Sequence, residues 1–512
     1  MSLRISRMPE SLPRAAGILF TLFIMIICPA PASGDWLQFG GNQQHDNNNR
    51  EEKIITKDNA STLVQVFQVS LPGVADGCPV YLSNVSTVKG MRNLLFITTK
   101  QGHLISLDAR TGEQIWVREY PAGDCRINKG FWHCYTTSSP AVDPNRKFVY
   151  TYGLDGYAHK HRVGDGEEIK GEGWPALTSL KPYDEKGSSS LATATDKSGT
   201  SYLYVVHAGY PGDRGDYQGH VTAISLSGGR QQVFNADCSN QAKHFAAAPV
   251  KPFCSAAQAG IWSRAGVVYD RELDRIFLAT GNGPFEPNNY NWGDSVLALN
   301  PDGTGLDGKP LDSYTPKTFA SLNRHDLDLG STAPAILPAP PGSRVKHLGL
   351  QSGKDSLLRL IDLANMNGHA SPGYTGGEVG KVIPAPQKGA VLTAPAVWVN
   401  PDDKSGWVFI ANKKGTCALE VKADRSGTPY LKLRWKNKQG GTSPLLANNI
   451  LFSVSSRLVS AFNPVSGSLL WADSSIGPIH WQSPIVADGF LYVTDQSGQL
   501  TAYAPSHLFT NP

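Results

Sequence analysis

The stretch GHLISLDARTGEQIW, residues 102–116, decides the fold. It reads as Gly102, an alternating apolar run, Asp108, the Thr111-Gly112 turn and then Trp116. The same order returns at GHVTAISLSGGRQQVF (219–234) and SRLVSAFNPVSGSLLW (456–471), and in shortened form at WGDSVLALNPDGTGL (292–306) and SGQLTAYAP (497–505). Each copy follows a second signature: a small residue and proline, an apolar strand, a loop and another apolar strand. Examples are SSPAVDPNRKFVYTYG (138–153), TAPAVWVNPDDKSGWVFIAN (393–412), TSPLLANNILFSVS (442–455) and QSPIVADGFLYVTD (482–495). The starts fall near residues 78, 138, 188, 262, 331, 392, 442 and 482, which makes eight units. A repeat of this length holding four strands is a propeller blade.

The physics of a blade explains the pattern. One small sheet cannot bury both of its faces, and a ring of sheets packed face to face can. Strands such as FVYTY and WVFIA are apolar on both faces because neither face meets water. A flat indole after the turn fills the wedge between neighbouring blades, and the small Ala or Ser in the preceding strand leaves it room. The 52 Gly and 35 Pro run through the whole chain of 512 residues, as many short strands and turns require. The expectation is an all-β, eight-bladed β-propeller over residues 35–512. Its ring is closed by DWLQFGG (35–41), which would pair as the outer strand of the last blade and remove a free sheet edge.

Residues 1–34 read as a secretory signal. Arg4, Arg7 and Arg14 precede an apolar run from Ala15 to Cys28, and Ala30-Pro31-Ala32 offers a small-residue cleavage site. The run is shorter than the roughly 20 residues that span a bilayer. An exported, periplasmic or extracellular protein follows. Six cysteines remain after cleavage, and an even count in an exported chain favours disulfides. Nearness in sequence pairs Cys125 with Cys134 and Cys238 with Cys254, leaving Cys78 to Cys417, one of several connectivities. The formal charge is +4 and no basic run is interleaved with aromatics, so nucleic acid is excluded as a partner.

The A-x-D-x-x-T-G-x-x-x-W repeat resembles the tryptophan-docking repeats of the eight-bladed quinoproteins. That family holds the pyrroloquinoline quinone (PQQ) alcohol dehydrogenases, and the same fold serves a non-catalytic outer-membrane assembly lipoprotein. The repeat specifies the fold and leaves the chemistry to the site. A site for PQQ needs cations for three carboxylates, flat plates for its ring faces, a divalent cation such as Ca²⁺ with oxygen ligands, and a base for the alcohol proton.

The resemblance implies such residues in three stretches. AGIWSRAGVVYDRELDRIFLATGNG (259–283) is similar to the segment whose Trp stacks on the ring and whose Asn in T-G-N binds Ca²⁺. It points to Trp262 as plate and Asn282 as metal ligand, with Arg264 as a further cation for the cofactor. NRHDLDLGSTAP (323–334) looks like the loop that carries the catalytic base, which points to Asp328. LQSGKDSLLRLIDLANMNG (350–368) is similar to the segment whose Lys contacts the quinone, which points to Lys354. Each has a plainer reading beside it: Trp262 as inter-blade core, Asn282 as a turn former, Asp328 as a loop cap and Lys354 as a hairpin lysine. Two family features are absent. GYPGDRGDYQGHVTA (209–223) has Arg214, flanked by Asp213 and Asp216, near the place of the metal-binding Glu, and no two cysteines are adjacent.

Two functions follow as expectations. One is an oxidoreductase that uses PQQ and Ca²⁺ on a small-molecule alcohol or sugar-like hydroxyl and passes electrons to a separate acceptor. The other is a non-catalytic propeller that binds an envelope protein and keeps a degenerate quinone site.

Overall fold

The computed structural model describes residues 34–367 and 374–509. The expected signal segment lies outside them but for its last residue. Eight sheets stand in a ring. Blades 1 to 7 run over residues 80–119, 141–177, 185–235, 268–314, 335–384, 396–436 and 445–473, and blade 8 joins residues 485–505 to residues 63–70. The main strands of each blade pair antiparallel in chain order, from the channel outward. Among the described residues there is one α-helix, Phe319–Arg324, on the loop that leads into blade 5.

Register explains the recurring tryptophan. Trp116 stands opposite Ser106, Trp435 opposite Ala418 and Trp471 opposite Ala461. The ladder bulges at each of these pairs, which tilts the indole out of the sheet. Each ring then reaches the next blade. Trp116 Nε1 donates to Val163 O at 3.0 Å, Trp435 Nε1 to Pro464 O at 2.7 Å and Trp471 Nε1 to Leu63 O at 3.0 Å. The turn glycine of the next blade lies on the ring face. A Cβ on Gly166 would come within 2.5 Å of Trp116, and one on Gly467 within 2.7 Å of Trp435. The Gly of the turn in one blade and the Trp of the blade before it are therefore two halves of one joint.

The ring closes differently from the expectation. The outer strand of blade 8 is Leu63–Ser70, which pairs with Gln499–Pro505, and not residues 35–41. LVQVFQVS has the length and alternation to cover a seven-residue strand, whereas DWLQFGG ends in two glycines of positive φ (70° and 81°). Phe67 takes the docking position there, opposite Ala502 and beneath Gly112 of blade 1.

Residues 35–52 instead run across the inner strands. Trp36 exchanges two main-chain bonds with Tyr81 of blade 1 (2.9 and 2.8 Å), and Leu37 O accepts from Val142 of blade 2. Gln38 bonds Thr193 of blade 3, and Gln43 O accepts from Tyr269 of blade 4. Asp46 O and Asn47 O accept from Val397 and Leu446 of blades 6 and 7, and Asn49 Nδ2 donates to Val486 O of blade 8. Inner strands have no neighbour on the channel side, so their buried polar groups need partners from elsewhere. This segment supplies them.

Cys125–Cys134 and Cys238–Cys254 are disulfides. The remaining pair does not form. Cys78 and Cys417 are free and buried, before blade 1 and in the third strand of blade 6. Burial pushes both thiols up, to about 11 and about 12, so they behave as small apolar side chains.

Trp116→Ala is expected to cost about 3–5 kcal/mol in chemical denaturation. Gly166→Ala should also destabilise, although it only adds a methyl group, because the site has φ +69° and no room. A Gly166→Ala protein as stable as the parent would show that the joint is loose.

Candidate functional site

The residues that open the channel are those just before each inner strand. Asp76 precedes blade 1, Tyr135 and Thr137 precede blade 2, and Lys186 and Ser188 lie at the start of blade 3. Trp262 and Arg264 precede blade 4, Asp326 and Asp328 blade 5, Leu392 blade 6, and His480 and Trp481 blade 8. A second layer comes from the turn after the second strand: Lys100 in blade 1, Tyr210 in blade 3 and Lys354 in blade 5. Apart from Asp76, which lies behind the wall, these residues line one cavity of about 390 Å³.

Trp262, Arg264, Asp328 and Lys354 therefore share a cavity, although 66 residues separate Trp262 from Asp328 in the chain. Asp328 is buried. Its Oδ1 accepts the Asn282 N–H at 2.6 Å, and its other oxygen is ion-paired with Lys354 Nζ. The Lys354 N–H donates to the Asp328 carbonyl at 3.1 Å, so main chain and side chain both hold the pair. Lys354 Nζ also meets Asp326 Oδ1 at 2.6 Å and lies 5.3 Å from the Trp262 ring centroid. Gly281 permits the approach: a Cβ there would lie 2.4 Å from Asp328 Oδ1 and 3.1 Å from Trp262 Nε1. Burial raises Asp328 above the usual carboxylate range, against the pull of Lys354. Burial works against the Lys354 charge, but Asp328 and Asp326 outweigh it and hold the ammonium above the usual lysine range.

Asn282 stands behind this pair and does not line the cavity. Its Nδ2 donates to Asp326 Oδ1 at 3.0 Å, and its buried Oδ1 has no partner. Asp294 is also close by; its Oδ1 accepts the Leu329 N–H at 2.9 Å and its Oδ2 has no partner. Burial pushes Asp294 up to about 7.

The other wall is cationic. Arg264 is buried, and its guanidinium donates to Ser188 O (3.0 Å), Thr137 O (3.0 Å) and Asp76 O (3.3 Å). It thus ties blade 4 to the starts of blades 1, 2 and 3, and its Nε has no partner. Lys186 and Lys100 stand over the Tyr135 ring at 4.8 and 5.0 Å. Asp76 is the buried acid here. It accepts from His480 Nδ1 (2.8 Å), the Trp481 N–H (3.1 Å) and Gln496 Nε2 (2.9 Å), with Lys100 Nζ at 3.7 Å. Burial alone would raise Asp76, but His480, Arg264 and Lys100 hold it below the usual range.

These groups suit a planar polyanion. Three cations, Lys100, Arg264 and Lys354, and the Lys186 amine share the cavity with Trp262, Trp481, Tyr135, Tyr210 and Tyr217. They do not suit a divalent cation. A calcium site needs six to eight oxygens, and no group of three or more His, Cys, Asp or Glu that could hold a metal occurs among the described residues. Asn282 Oδ1 is a single neutral oxygen, Asp328 is already held by an ammonium, and Asp213 accepts from the Tyr217 hydroxyl at 2.8 Å. Arg214 is exposed.

No family model matches the chain. It is similar to the dehydrogenase subunit of the quinone alcohol dehydrogenase of Komagataeibacter europaeus, 23% identical over 443 residues, covering 80% of this chain. The chain spans about half the length (56%) of that curated relative. Among solved structures, it superposes on a quinohemoprotein alcohol dehydrogenase from Pseudomonas putida HK5 with a TM-score of 0.62, 14% identity, 92% of this chain and 80% of that one. A europium-containing methanol dehydrogenase matches with a TM-score of 0.62, 13% identity, 92% of this chain and 98% of that one. The fold is that of the quinoproteins. In this chain the channel mouth holds a cavity lined by Lys100, Lys186, Arg264 and Lys354.

Lys100, Lys186, Asp76, Tyr135 and Trp481 were not marked as site residues by the sequence reading. The signal that finds them is positional: in a ring of blades, residues before the inner strands and in the turns after the second strands converge on one mouth, whatever their type.

Asp237, beyond the outer strand of blade 3, gives a stability test. It is buried, neither oxygen has a partner among the described residues, and burial pushes it up to about 7. A carboxyl raised in the folded state stabilises below its unfolded value near 4, and that contribution is lost as pH rises through about 7. Asp237→Asn should therefore gain roughly 2–4 kcal/mol relative to the parent between pH 4 and pH 8. Denaturation curves at the two pH values check this, and an unchanged difference would rule out a buried proton on Asp237.

Proposed function

We propose that the protein is an exported PQQ-type oxidoreductase that oxidises an alcohol or a sugar-like hydroxyl. One observation carries the reading: Trp262, Arg264, Asp328 and Lys354, chosen by resemblance, line a single cavity with two further lysines. Arg264 and Lys354, with Lys100, would hold the carboxylates of the quinone, and Trp262 and Trp481 would face its rings. When bound, the quinone supplies an acceptor for a hydride.

The chain supplies the rest. Asp328 takes the proton of the substrate hydroxyl on its carboxylate; its burial strengthens it as a base. Lys354 fixes that carboxylate through the ion pair and main-chain bond, and places positive charge where negative charge develops. The aromatic walls exclude water. The metal role is left without ligands, and the Lys354 ammonium is the cation beside the base. Electrons leave to a separate acceptor. The two disulfides fit an oxidising compartment.

Titration of the full chain with PQQ, read as quenching of tryptophan fluorescence, followed by dye reduction with ethanol, glycerol and glucose, tests the reading. Saturable binding is expected, and Ca²⁺ should not tighten it. Lys354→Ala should weaken binding about tenfold, whereas Asp328→Asn should keep affinity within about threefold and lower the rate at least 100-fold. Absence of binding at high micromolar quinone would favour the non-catalytic propeller, a reading that the missing metal ligands also support.

A further inference from the structure

Lys186 has a chemistry that the oxidoreductase reading does not use. It lies on the cavity wall, only 6% exposed. Among the described residues it forms no ion pair, and its one hydrogen bond goes to Thr137 Oγ1 at 3.0 Å. The Thr137 hydroxyl donates its own proton to Ser188 O at 2.9 Å, so it cannot donate to the amine. A neutral Nζ would give one proton to Thr137 and keep its lone pair unengaged.

The surroundings favour that neutral form. Arg264 and Lys100 are the cations facing it, and the Tyr135 ring lies under its Nζ. Asp76, the acid on this wall, is shared among His480, Trp481, Gln496 and Lys100. Burial first, and then Arg264 and Lys100, lower the ammonium to about 7, against the attraction of Asp76. A desolvated lysine beside other cations is an activated nucleophile. The wall also carries a buried donor without a partner, Arg264 Nε, and more positive than negative charge, so the ligand it suits is an acid.

We propose that Lys186 condenses with the carbonyl group of an oxo acid, whose carboxylate Lys100 and Arg264 hold, to form a Schiff base in this cavity. The Nζ lone pair forms a bond to the carbonyl carbon, the C=O π pair moves to oxygen, and one of the two amine protons passes from nitrogen to that oxygen. The second amine proton then passes from nitrogen to the hydroxyl as the C–O bond breaks, so that the oxygen leaves as water and the nitrogen pair forms C=N. One amine and one carbonyl become one imine and one water, with no change in oxidation state. The step needs no quinone and stands apart from the oxidoreductase reading.

Glyoxylate is the probe. The full chain, without quinone, is incubated with glyoxylate and sodium borohydride at pH 7, which reduces any imine to a stable carboxymethyl amine, and tryptic peptides are mapped by mass. Lys186 should label on the order of 100-fold faster than the exposed Lys129. Lys100→Met should slow labelling by glyoxylate about tenfold more than labelling by propanal, a neutral aldehyde that reads only the change in amine reactivity. Labelling of Lys186 no faster than that of Lys129 overturns the proposal, and the parent protein alone gives that answer. Equal sensitivity of both aldehydes to Lys100→Met overturns the acid ligand. If PQQ fails to bind while Lys186 still labels, the quinone reading falls and this one stands.

Discussion

The structure depends on the joint between neighbouring blades. A four-stranded sheet of this size cannot bury two apolar faces by itself, so each blade is stable only against its neighbours. The joint is specific: an aromatic ring in the outer strand, a small residue opposite it, and a glycine of the following blade lying flat on the ring. The same arrangement closes the circle, with Phe67 in the aromatic place and Gly112 above it. Because that closing strand comes from residues 63–70 and its partners from the end of the chain, the first and last parts of the fold are one sheet.

The ring then decides what the site can be. Its mouth gathers one short segment from most blades, so charges distant in sequence become close neighbours. Two cations, the Lys186 amine and one shared acid meet on one wall, and a tight Asp–Lys pair stands beside it. Burial makes the imbalance costly unless an anion enters or a group changes its protonation. Burial and its cationic neighbours push the Lys186 ammonium down to about 7, Arg264 gives three hydrogen bonds to carbonyls and keeps Nε unpaired among the described residues, and the remaining positive charge is what a ligand would meet. Asp328 has beside it the Lys354 ammonium, fixed by an ion pair and a main-chain bond.

Much of this was legible. The blade count, the place of each unit, the two local disulfides and the small residue facing each docking tryptophan could be read from period and residue type. So could four of the cavity residues, because their local motifs resemble known ones. The closing strand lies elsewhere than expected, because DWLQFGG stands directly after the expected signal segment and position alone does not say which segment has the length to pair. Cys78 and Cys417 were paired by elimination, and elimination ignores distance. Lys186, Lys100 and Asp76 belong to no motif and had no local signal.

The sequence by itself determined the repeating unit, because alternation, turn chemistry and the aromatic after the turn act within about fifteen residues of one another. Only the tertiary structure decided which strand closes the ring, that residues 35–52 satisfy the inner strands, and that a buried lysine faces two other cations. These depend on distances across the channel, and such distances are set by how the sheets pack around their common axis.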